Sequence, residues 1–453
     1  MALTGIQIYK LLPQTNCKEC GFPTCLAFAM KLAGKQVELS ACPYASDEAK
    51  EKLADASRPP VRLITVRSKN HEVKAGNEIV LYRHEKTFYN KPGLFSRFFD
   101  TDPVDSIMAR AKQVDEFRVE YVGIELSYDG FVIQADAGNG KGSGLGAAVA
   151  ALREVSEWPL ILIGDVGDLE SGLEKLDEAE KPMLGLATAE NWEPMAALAK
   201  ARSTSLAVKA SSIDELVELV EKVNAAGVED IVLAPDQHGF LGSLTANTLI
   251  RRMALKKNFR SFGYPLLCFP GGIQGRGKSS GEMEIALAAQ VIGKYGGFIA
   301  LDHFSPETAY ALLVLRENIY TDPQKPIQMQ PGLYEINDPS PDDPLLVTTN
   351  FSITYFSVAN EVEGVGLPAW LLVTDAEGMS VLTAWAAGKF NAERIAKDVK
   401  RFEVTDKINH RQIVIPGDVA VISGELEEEL PGWEVKVGPR EAVDLPSFMK
   451  QVL

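Results

Sequence analysis

The chain has 453 residues, a formal net charge of −16, and 46% hydrophobic and 24% charged residues. Because one hydrophobic core stops growing beyond roughly 250 to 300 residues, this length predicts about three globular domains. The acidic balance argues against a nucleic-acid partner. The sequence shows neither a signal-peptide pattern nor an apolar stretch long enough to span a bilayer, which predicts a cytoplasmic protein without a membrane partner.

Four of the five cysteines lie within the first 42 residues: Cys17, Cys20, Cys25 and Cys42. Their spacing, C-x2-C-x4-C-x16-C followed by Pro43, supplies four thiolates, the number that a 4Fe-4S cube needs for its four irons. Gly21 and Pro23 allow the loop to curl so that backbone N–H groups turn toward the sulfurs. Residues 1–58 are therefore predicted to form a 4Fe-4S cluster domain.

Two other interpretations of these cysteines remain open, a zinc site and free thiols. A zinc site made of four cysteines usually shows two C-x2-C pairs about 15 to 20 residues apart, and the second pair is missing here. Both flanks of the segment are predicted to be helical, because Thr4 can cap a first helix and Pro23 can open a second. These helices would pack over the cluster and shield it.

Beyond the Pro59-Pro60 pair, segments 61–68 and 78–88 predict a β-hairpin that leads into a second domain. From about residue 100, apolar runs of strand length alternate with segments of helical pattern. The runs are YVGIEL, LILIGD, MLGLATA, SLAVKA, DIVLAPD, PLLCFP and FIALDHF. The helical segments include 141–155, 191–201, 211–225 and 281–294. With one less obvious strand, they predict a TIM (β/α)8 barrel within residues 59–320.

In such a barrel, functional side chains lie where the strands end. The candidates are Asp165, Asn191, Lys209, Asp236, His238, Asp302 and His303. Any of them could instead cap the helix that follows. The fifth cysteine, Cys268, lies inside an apolar strand and is expected to be a buried small hydrophobic residue.

Residues 272–279, GIQGRGKS, match the P-loop pattern G-x4-G-K-[ST] between a strand and a helix. Asp302, at the end of the next strand, could then hold the metal, and Lys278 would have to contact phosphate. The motif falls on about the sixth strand of a repeating series, whereas a P-loop normally opens its own nucleotide domain. A glycine-rich loop at the mouth of the barrel is therefore the favoured interpretation, and nucleotide binding stays the alternative.

Residues 319–344 contain six prolines in 26 residues, which predicts a linker, placed at 321–344. In residues 345–453 the strand segments LLVTTN, AWLLVTDA, RQIVIPG and WEVKVGP alternate with helical segments. This alternation predicts a doubly wound α/β domain with a parallel sheet. Ligands of such sheets lie beyond the carboxyl ends of the strands, which points to residues 348–352, 374–380 and 416–417.

With these features the chain resembles the large (gamma) subunit of the corrinoid iron-sulfur protein of the reductive acetyl-CoA pathway, together with its archaeal acetyl-CoA decarbonylase/synthase counterparts. The resemblance covers the whole chain. It is most specific in residues 3–33, LTGIQIYKLLPQTNCKECGFPTCLAFAMKLA, and in Cys42-Pro43-Tyr44. The order of cluster domain, barrel and cobalamin-binding domain is similar as well.

The resemblance implies that the four cysteines hold the cluster and that the C-terminal domain binds cobalamin base-off, in a heterodimer with a smaller subunit. Cob(I)alamin would take a methyl group from methyltetrahydrofolate or another methyl-pterin on a separate methyltetrahydrofolate:corrinoid methyltransferase. It would then pass the methyl group to acetyl-CoA synthase/CO dehydrogenase. The 4Fe-4S cluster would supply the electron that returns cobalt(II) to cobalt(I), and a reductive activator would be a further partner. The chain would thus be the methyl carrier of a methyltransferase system, with no catalytic side chain of its own.

The resemblance also suggests cobalamin contacts in the C-terminal domain. They are Ser340, Leu346, Trp370, Leu371, Leu372, Val373, Thr374, Gly378, Ser380 and Ala384. A D-x-H-x-x-G loop that would give cobalt a histidine ligand is missing, and His410 precedes a strand, at the wrong end for a ligand. The linker is further predicted to act as a hinge, so that shortening it slows methyl transfer without removing cobalamin.

Two functions of other classes compete with the methyl carrier. A pterin-dependent methyltransferase would work from its own barrel, with carboxylates such as Asp165 or Asp236. An iron-sulfur electron-transfer or NTP-binding protein would use the cluster without cobalamin.

Overall fold

The computed structural model describes residues 5–33, 37, 39–46, 59–136, 144–236, 239–273, 280–322 and 327–452. Two compact units divide the chain. One consists of residues 1–117 and 127–320, and the other of residues 118–126 and 321–453. Within the described ranges, no helix is both long and apolar enough to cross a membrane.

The cysteine segment folds as two helices, α1 Gly5–Leu11 and α2 Cys25–Ala33, followed by a 3-10 turn at Leu39–Ala41. The hydroxyl of Thr24 accepts a hydrogen bond from the backbone N–H of Ala27 (3.1 Å) and so caps α2. The two helices share a small apolar core with Cys25 and Cys42. The prediction of a helix on each side of the first three cysteines is confirmed, although Thr4, the predicted cap of α1, lies outside the described residues.

A two-stranded hairpin, β1 Ile64–Arg67 and β2 Glu72–Ala75, comes next. Its buried side chains belong to the same apolar cluster as the inward side chains of the barrel described below. The predicted second strand at 78–88 is wrong, because this segment folds back on itself. The carboxylate of Glu78 accepts hydrogen bonds from the backbone N–H groups of Tyr89 (2.8 Å) and Asn90 (3.1 Å).

The next domain is a closed barrel of eight parallel strands, each followed by a helix, the (β/α)8 arrangement that the alternation predicts. In chain order the barrel strands are β3 Gly93–Phe99, β6 Gly130–Gln134, β7 Leu160–Ile163, β8 Met183–Ala187, β9 Leu206–Ala210, β10 Ile231–Pro235, β11 Leu266–Cys268 and β12 Gly296–Leu301. Between β3 and β6, the strands β4 Val119–Tyr121 and β5 Ile124–Leu126 form a hairpin outside the barrel. The helices are α3 Val104–Glu116, α4 Gly144–Arg153, α5 Val166–Leu173, α6 Trp192–Arg202, α7 Ile213–Ala225, α8 Gly239–Lys257, α9 Gly281–Gly293 and α10 Pro306–Tyr320.

Six of the seven predicted barrel strands are confirmed, and the seventh, YVGIEL, is wrong. Residues 119–126 form the antiparallel hairpin β4–β5, which belongs to the C-terminal unit. The two barrel strands missing from the prediction are β3 and β6. Arg97 interrupts the apolar pattern of β3, and its burial depends on a partner that is distant in sequence but follows the neighbouring strand β12, as described below.

The C-terminal unit is built on a five-stranded sheet in the order β13-β15-β14-β16-β17. The strands are β13 Gly332–Ile336, β14 Leu345–Thr349, β15 Ala369–Thr374, β16 Gln412–Ile415 and β17 Glu434–Val437. The helices are α11 Ser352–Gly364, α12 Val381–Ala386, α13 Ala392–Arg401, α14 Val404–Lys407, α15 Ser423–Glu429 and α16 Leu445–Val452, with 3-10 turns at Gly417–Ile422 and Ala442–Asp444.

Four strands of this sheet are parallel, and β13 runs antiparallel to β15 at one edge. Successive residues of β15 face two different cores: Leu372 packs in one, and Leu371 and Val373 in the other. Helices therefore cover both faces, and the predicted doubly wound α/β arrangement is confirmed, with an additional antiparallel edge strand. The tip of the β4–β5 hairpin, Val122, lies in the second of these cores.

The prediction of a linker over 321–344 is wrong for residues 332–336, which form β13. Prolines at 331 and 339 lie outside the strand, and an edge strand tolerates nearby prolines because one of its sides needs no hydrogen-bond donors. The chain passes between the two units at 117–118, 126–127 and 320–321, so the linker is one of three covalent connections. The hinge stays a prediction for the residues that precede β13.

Candidate functional site

The cysteine loop is shaped by left-handed backbone and by one side-chain cap. Asn16, Lys18 and Gly21 all have positive φ, at 49°, 68° and 81°, so the chain turns sharply on both sides of Cys17. The side-chain oxygen of Asn16 accepts a hydrogen bond from the backbone N–H of Cys25 (2.8 Å). The predicted curl is present, and it depends on Asn16 and Lys18 as well as on the glycine.

Three of the four cysteines share one environment. Cys20, Cys25 and Cys42 pack in the small apolar core of α1 and α2, whereas Cys17 is exposed on the loop. Tyr44 donates a hydrogen bond to the carboxylate of Glu19 (2.9 Å), which connects the loop to the chain that follows the fourth cysteine.

The donor set suits an iron-sulfur cube, which takes one thiolate on each of four irons and therefore needs thiolates spread around it. In the described ranges no group of three or more His, Cys, Asp and Glu side chains is placed to hold a metal ion, so the structure does not bring the four thiols together into a formed site. Cys17, Cys20, Cys25 and Cys42 are the residues that would hold the cube.

At the carboxyl end of the barrel, two of the predicted candidates are structural. Asp165 accepts a hydrogen bond from the backbone N–H of Asp168 (2.9 Å) and caps α5 in a reciprocal capping box. Asn191 accepts one from the backbone N–H of Thr188 (2.7 Å). His238 and the P-loop-like residues 274–279 lie outside the described residues.

Asp302 is held by Arg97, a buried residue that the sequence prediction missed. The guanidinium makes a bidentate pair with the carboxylate, at 2.5 Å from Nε to Oδ1 and 2.7 Å from Nη2 to Oδ2. It also donates to the side chain of Gln134 (3.0 Å) and to the backbone oxygen of Gly272 (2.7 Å). The only signal in the sequence is an arginine in the middle of the apolar run GLFSRFF.

His303 is oriented by Glu284, a second buried residue that the prediction missed. Nδ1 of His303 lies 2.7 Å from the carboxylate, which also accepts hydrogen bonds from the backbone N–H groups of Asp302 (2.6 Å) and His303 (2.9 Å). Barrels of this kind often bind phosphate at the loops after their seventh and eighth strands. Here a carboxylate of the protein itself takes two of the N–H groups at that place.

The remaining pair of candidates, Lys209 and Asp236, projects from neighbouring strands. The ammonium and carboxylate groups are 3.9 Å apart, which is longer than a hydrogen bond. Of the described candidates, only Asp302 and His303 are thus hydrogen-bonded to charged side chains, those of Arg97 and Glu284.

The carboxyl edge of the C-terminal sheet combines a topological switch point with exposed apolar side chains. The strand that follows β14 in the chain, β15, lies on one side of it in the sheet, and the next strand, β16, lies on its other side. The order of strands thus reverses at β14, and doubly wound sheets bind their ligands at such a switch point. The elements that follow these strands expose Ile353, Leu382, Trp385 and Val421, at 65%, 50%, 40% and 69% of their surface. An exposed apolar rim of this kind suits a large, partly apolar ligand.

The ten predicted cobalamin contacts do not all lie at this edge. Four lie at or beyond the end of β15: Thr374, Gly378, Ser380 and Ala384. All of these except Ser380 are buried, and Ala384 packs in the apolar core behind the edge. Five have buried side chains inside the strands: Leu346, Trp370, Leu371, Leu372 and Val373. Ser340 lies at the opposite end of the sheet, where its backbone oxygen accepts a hydrogen bond from the indole N–H of Trp370 (2.9 Å). A strand of six residues spans nearly 20 Å, so consecutive residues of β15 cannot all reach one edge.

Other polar groups at the edge belong to the predicted segments. The hydroxyls of Thr348 and Thr349 are buried and have no hydrogen-bond partner within the part of the chain that the structure describes. Buried hydroxyls are normally hydrogen-bonded, so a polar ligand or water at this edge would satisfy them. His410 lies at the amino end of β16, where Nε2 is 2.8 Å from the backbone oxygen of Asp343 and Nδ1 accepts from the backbone N–H of Gln412 (3.2 Å).

Asp398 lies behind this edge, on α13, and it yields a testable pH dependence. Burial raises the pKa of its carboxyl above the ordinary 3.8, and the nearby carboxylate of Asp375 raises this pKa further. The positive charges of Arg394 and Arg401 and a hydrogen bond from the backbone N–H of Asp375 lower the pKa and so oppose the shift. Because the folded-state pKa is raised, the stabilising contribution of Asp398 is complete below pH 3.8 and is lost as the pH rises through the folded-state pKa.

We therefore expect Asp398→Asn to raise the melting temperature at pH 7 by a few degrees, about 1 kcal/mol. The gain should shrink as the pH is lowered toward 4. Thermal unfolding followed by circular dichroism between about pH 4 and 7 measures the difference. A gain that is the same at every pH would contradict the assignment of the raised pKa to Asp398.

Comparisons with known proteins cover all of these regions. A family model described as CO dehydrogenase/acetyl-CoA synthase delta subunit matches residues 63–449, and a model for a putative Fe-S cluster matches residues 12–44. The corrinoid/iron-sulfur protein large subunit of Moorella thermoacetica is 39% identical over 451 residues, which cover 99% of each chain. The acetyl-CoA decarbonylase/synthase complex subunit gamma of Methanopyrus kandleri is 33% identical, over 99% of this chain and 98% of that one. The corresponding gamma subunit of Methanosarcina acetivorans is 33% identical, over 98% of each chain.

The two family models divide the chain between them, and the delta-subunit model begins only after the cysteine segment. The relatives that align over the whole length, with the cysteine segment included, are named large or gamma subunits. The chain therefore belongs to the family of corrinoid/iron-sulfur protein large subunits and acetyl-CoA decarbonylase/synthase gamma subunits.

Proposed function

We propose that the chain is a methyl carrier of the anaerobic acetyl-CoA pathway, with a 4Fe-4S cluster on its N-terminal cysteines and a base-off corrinoid at the carboxyl edge of its C-terminal sheet. The observation that carries this proposal is the alignment of 99% of the chain with a corrinoid/iron-sulfur protein large subunit at 39% identity. The match of residues 12–44 to an Fe-S cluster model supports the assignment of the cluster cysteines.

Each group would supply one kind of chemistry. When bound, the corrinoid provides a cobalt that can take up and release a methyl group, and the cluster provides the electrons that keep that cobalt reduced. The protein's own part is to hold and orient both groups. The thiolates would bind the cube, and the apolar core of α1 and α2 shields three of them from water.

At the C-terminal edge, the exposed apolar rim would cover the apolar parts of the macrocycle, and the loops after β14 and β15 would meet its amide side chains. The unit from residue 321 onward contains one histidine, His410, whose two ring nitrogens both have partners at the opposite end of the sheet. This placement supports a corrinoid to which the chain gives no imidazole ligand. Of the predicted contacts, Gly378 and Ser380, on the loop after β15, are the ones best placed for this role, because the side chains of Thr374 and Ala384 are fully buried.

The barrel would then serve as a docking body. Arg97 is bonded to Asp302, and Glu284 to His303, at the end of the barrel where a substrate would have to bind. A methyltransferase acting from this barrel would instead need strand-end groups that are available to a pterin. The proposed partners are a small subunit, a methyltetrahydrofolate:corrinoid or methyl-pterin methyltransferase, acetyl-CoA synthase/CO dehydrogenase and a reductive activator.

Metal analysis of the anaerobically purified chain, co-produced with its small subunit, tests this proposal. We expect about four irons, one for each cysteine of the set, and about one cobalt per chain. A visible spectrum during titration with a strong reductant should show a reducible corrinoid. Iron without cobalt would contradict the carrier and favour an electron-transfer protein.

A pair of matched variants locates the corrinoid. Trp385 at the C-terminal edge and Leu249 on α8 of the barrel are exposed to nearly the same extent, 40% and 41%. Each can therefore be changed to glutamate at little cost in stability. Trp385→Glu should lower the cobalt content severalfold, and Leu249→Glu should not. Equal cobalt in both variants would place the corrinoid elsewhere.

A further inference from the structure

Asn350 follows β14 directly, and its side chain is only 2% exposed. Its amide oxygen accepts hydrogen bonds from the backbone N–H groups of Ala376 (2.9 Å) and Gly378 (3.0 Å). Its amide nitrogen donates to the side chains of Gln328 (3.2 Å) and Asp375 (3.4 Å). A primary amide can accept two hydrogen bonds and donate two, so this side chain is fully used, and its orientation is set by the two backbone donors.

The backbone of Asn350 extends the same network. Its N–H donates to the oxygen of Thr374 (2.9 Å), and its oxygen accepts from the N–H of Met329 (2.9 Å). Asn350 thus connects residues 328–329, the end of β14 and the segment 375–380, which we call the edge loop. The edge loop holds Gly378 and Ser380, two of the predicted corrinoid contacts.

The edge loop has a conformation that needs support from outside. Glu377 and Gly378 are consecutive left-handed residues, with φ of 54° and 71°. A residue with a side chain is strained in this region, because its Cβ lies too close to the following carbonyl oxygen. Asn350 holds the N–H groups on both sides of Glu377, and Arg394 donates to the backbone oxygen of Asp375 from the other side (3.0 Å).

Gly378 also leaves no room for the loop to shift toward Gln328. A Cβ atom at position 378 would lie 2.7 Å from Cγ of Gln328 and 2.9 Å from its amide nitrogen. The glutamine that bonds to Asn350 therefore also packs against the loop that Asn350 holds. The edge loop is preformed by the protein's own contacts.

We propose that Asn350 is a positioning residue for the corrinoid: it fixes the backbone of the edge loop so that a rigid polar edge meets the amide side chains of the corrin ring. This inference rests on the proposed function. A preformed binding edge raises affinity because less conformational freedom is lost on binding. Loss of the Asn350 amide should therefore weaken corrinoid binding more than it weakens the fold.

The test compares Asn350→Ala with Asn337→Ala in the chain co-produced with its small subunit. Asn337 lies in the same unit, after β13, and its amide nitrogen also donates two hydrogen bonds, to the backbone oxygens of Val362 (3.3 Å) and Leu367 (2.9 Å). The probe is dicyanocobinamide, which has the corrin ring but lacks the nucleotide tail, titrated by visible absorption. Thermal unfolding is measured on the same samples.

We expect Asn350→Ala to weaken cobinamide binding at least tenfold, and Asn337→Ala to change it less than twofold. Asn350→Asp keeps an acceptor for the edge loop but loses both donors beside Asp375, so its affinity should lie between those of the wild type and Asn350→Ala. If wild type binds cobinamide and Asn350→Ala binds it equally well, the positioning role is overturned. If the wild type binds no cobinamide, the proposed function itself fails.

Discussion

Replacing Cys25 by alanine is expected to disrupt the iron-sulfur cluster, so that iron falls from about four atoms to about three or fewer per chain. Cys25 begins α2 and is buried in the core that also holds Cys42, so its thiolate is a fixed point of the proposed site. Without it, the fourth iron has no protein ligand. Anaerobic reconstitution followed by iron and sulfide analysis measures the loss.

Two further alanine variants separate a lost ligand from a damaged fold. Cys268 is buried in β11 of the barrel, and burial raises the pKa of its thiol to about 12, so it should not bind metal. Cys268→Ala removes a buried sulfur atom, as Cys25→Ala does, but this variant of the protein should keep its iron. Cys17 is exposed, so Cys17→Ala should spare the fold and still lose iron. Iron that survives in both Cys17→Ala and Cys25→Ala would refute the four-cysteine site.

Replacing Val122 by aspartate is expected to destabilise the C-terminal unit by about 3 kcal/mol or more, although residue 122 is about 200 positions away from that unit's sheet. Val122 is the buried tip of the β4–β5 hairpin, packed with Met329, Ile336 and Leu346. A carboxylate there would be buried without a partner. For a unit of this size, the melting temperature should fall by about 10 °C.

Calorimetry and limited proteolysis can show which unit unfolds. In Val122→Asp, cleavage should appear first within residues 327–452, while the barrel stays resistant. Glu125 lies on the same hairpin with 72% of its side chain exposed, and Glu125→Gln should leave both units unchanged. If the protease instead cleaved the barrel of Val122→Asp first, the hairpin would stabilise the barrel, as the apolar pattern of residues 121–126 predicts.

The conformation of Val122 explains why the local pattern does not predict this hairpin. Val122 forms the turn with Gly123, and both residues have positive φ, 49° and 74°. Two-residue hairpin turns of this type favour Asn-Gly and similar pairs, and a β-branched residue is unusual there. Its burial in the core of the other unit offsets the strained backbone. The turn therefore carries no recognisable signal, and YVGIEL has the pattern of a single buried strand.

The sequence alone determined those features that depend on local pattern. Cysteine spacing, alternation of strand-like and helix-like segments, and the four parallel strands of the C-terminal sheet all follow from neighbouring residues. For the same reason, the sequence predicts the loops after the strands of that sheet as candidate ligand sites. The family resemblance rests on the same local features, above all on the segment around Cys17, Cys20 and Cys25.

Only the tertiary structure decided the features that depend on distant partners. Arg97 can be buried in β3 because Asp302 lies beside it, 205 positions later. β13 is a strand because β15 offers it an edge, and β4–β5 joins the C-terminal unit because Val122 fits that core. The buried side chain of Asn350 accepts its hydrogen bonds from the edge loop, 26 to 28 positions away. A local pattern shows that a segment can be buried, but the long-range partner determines where it is buried and which polar groups it meets.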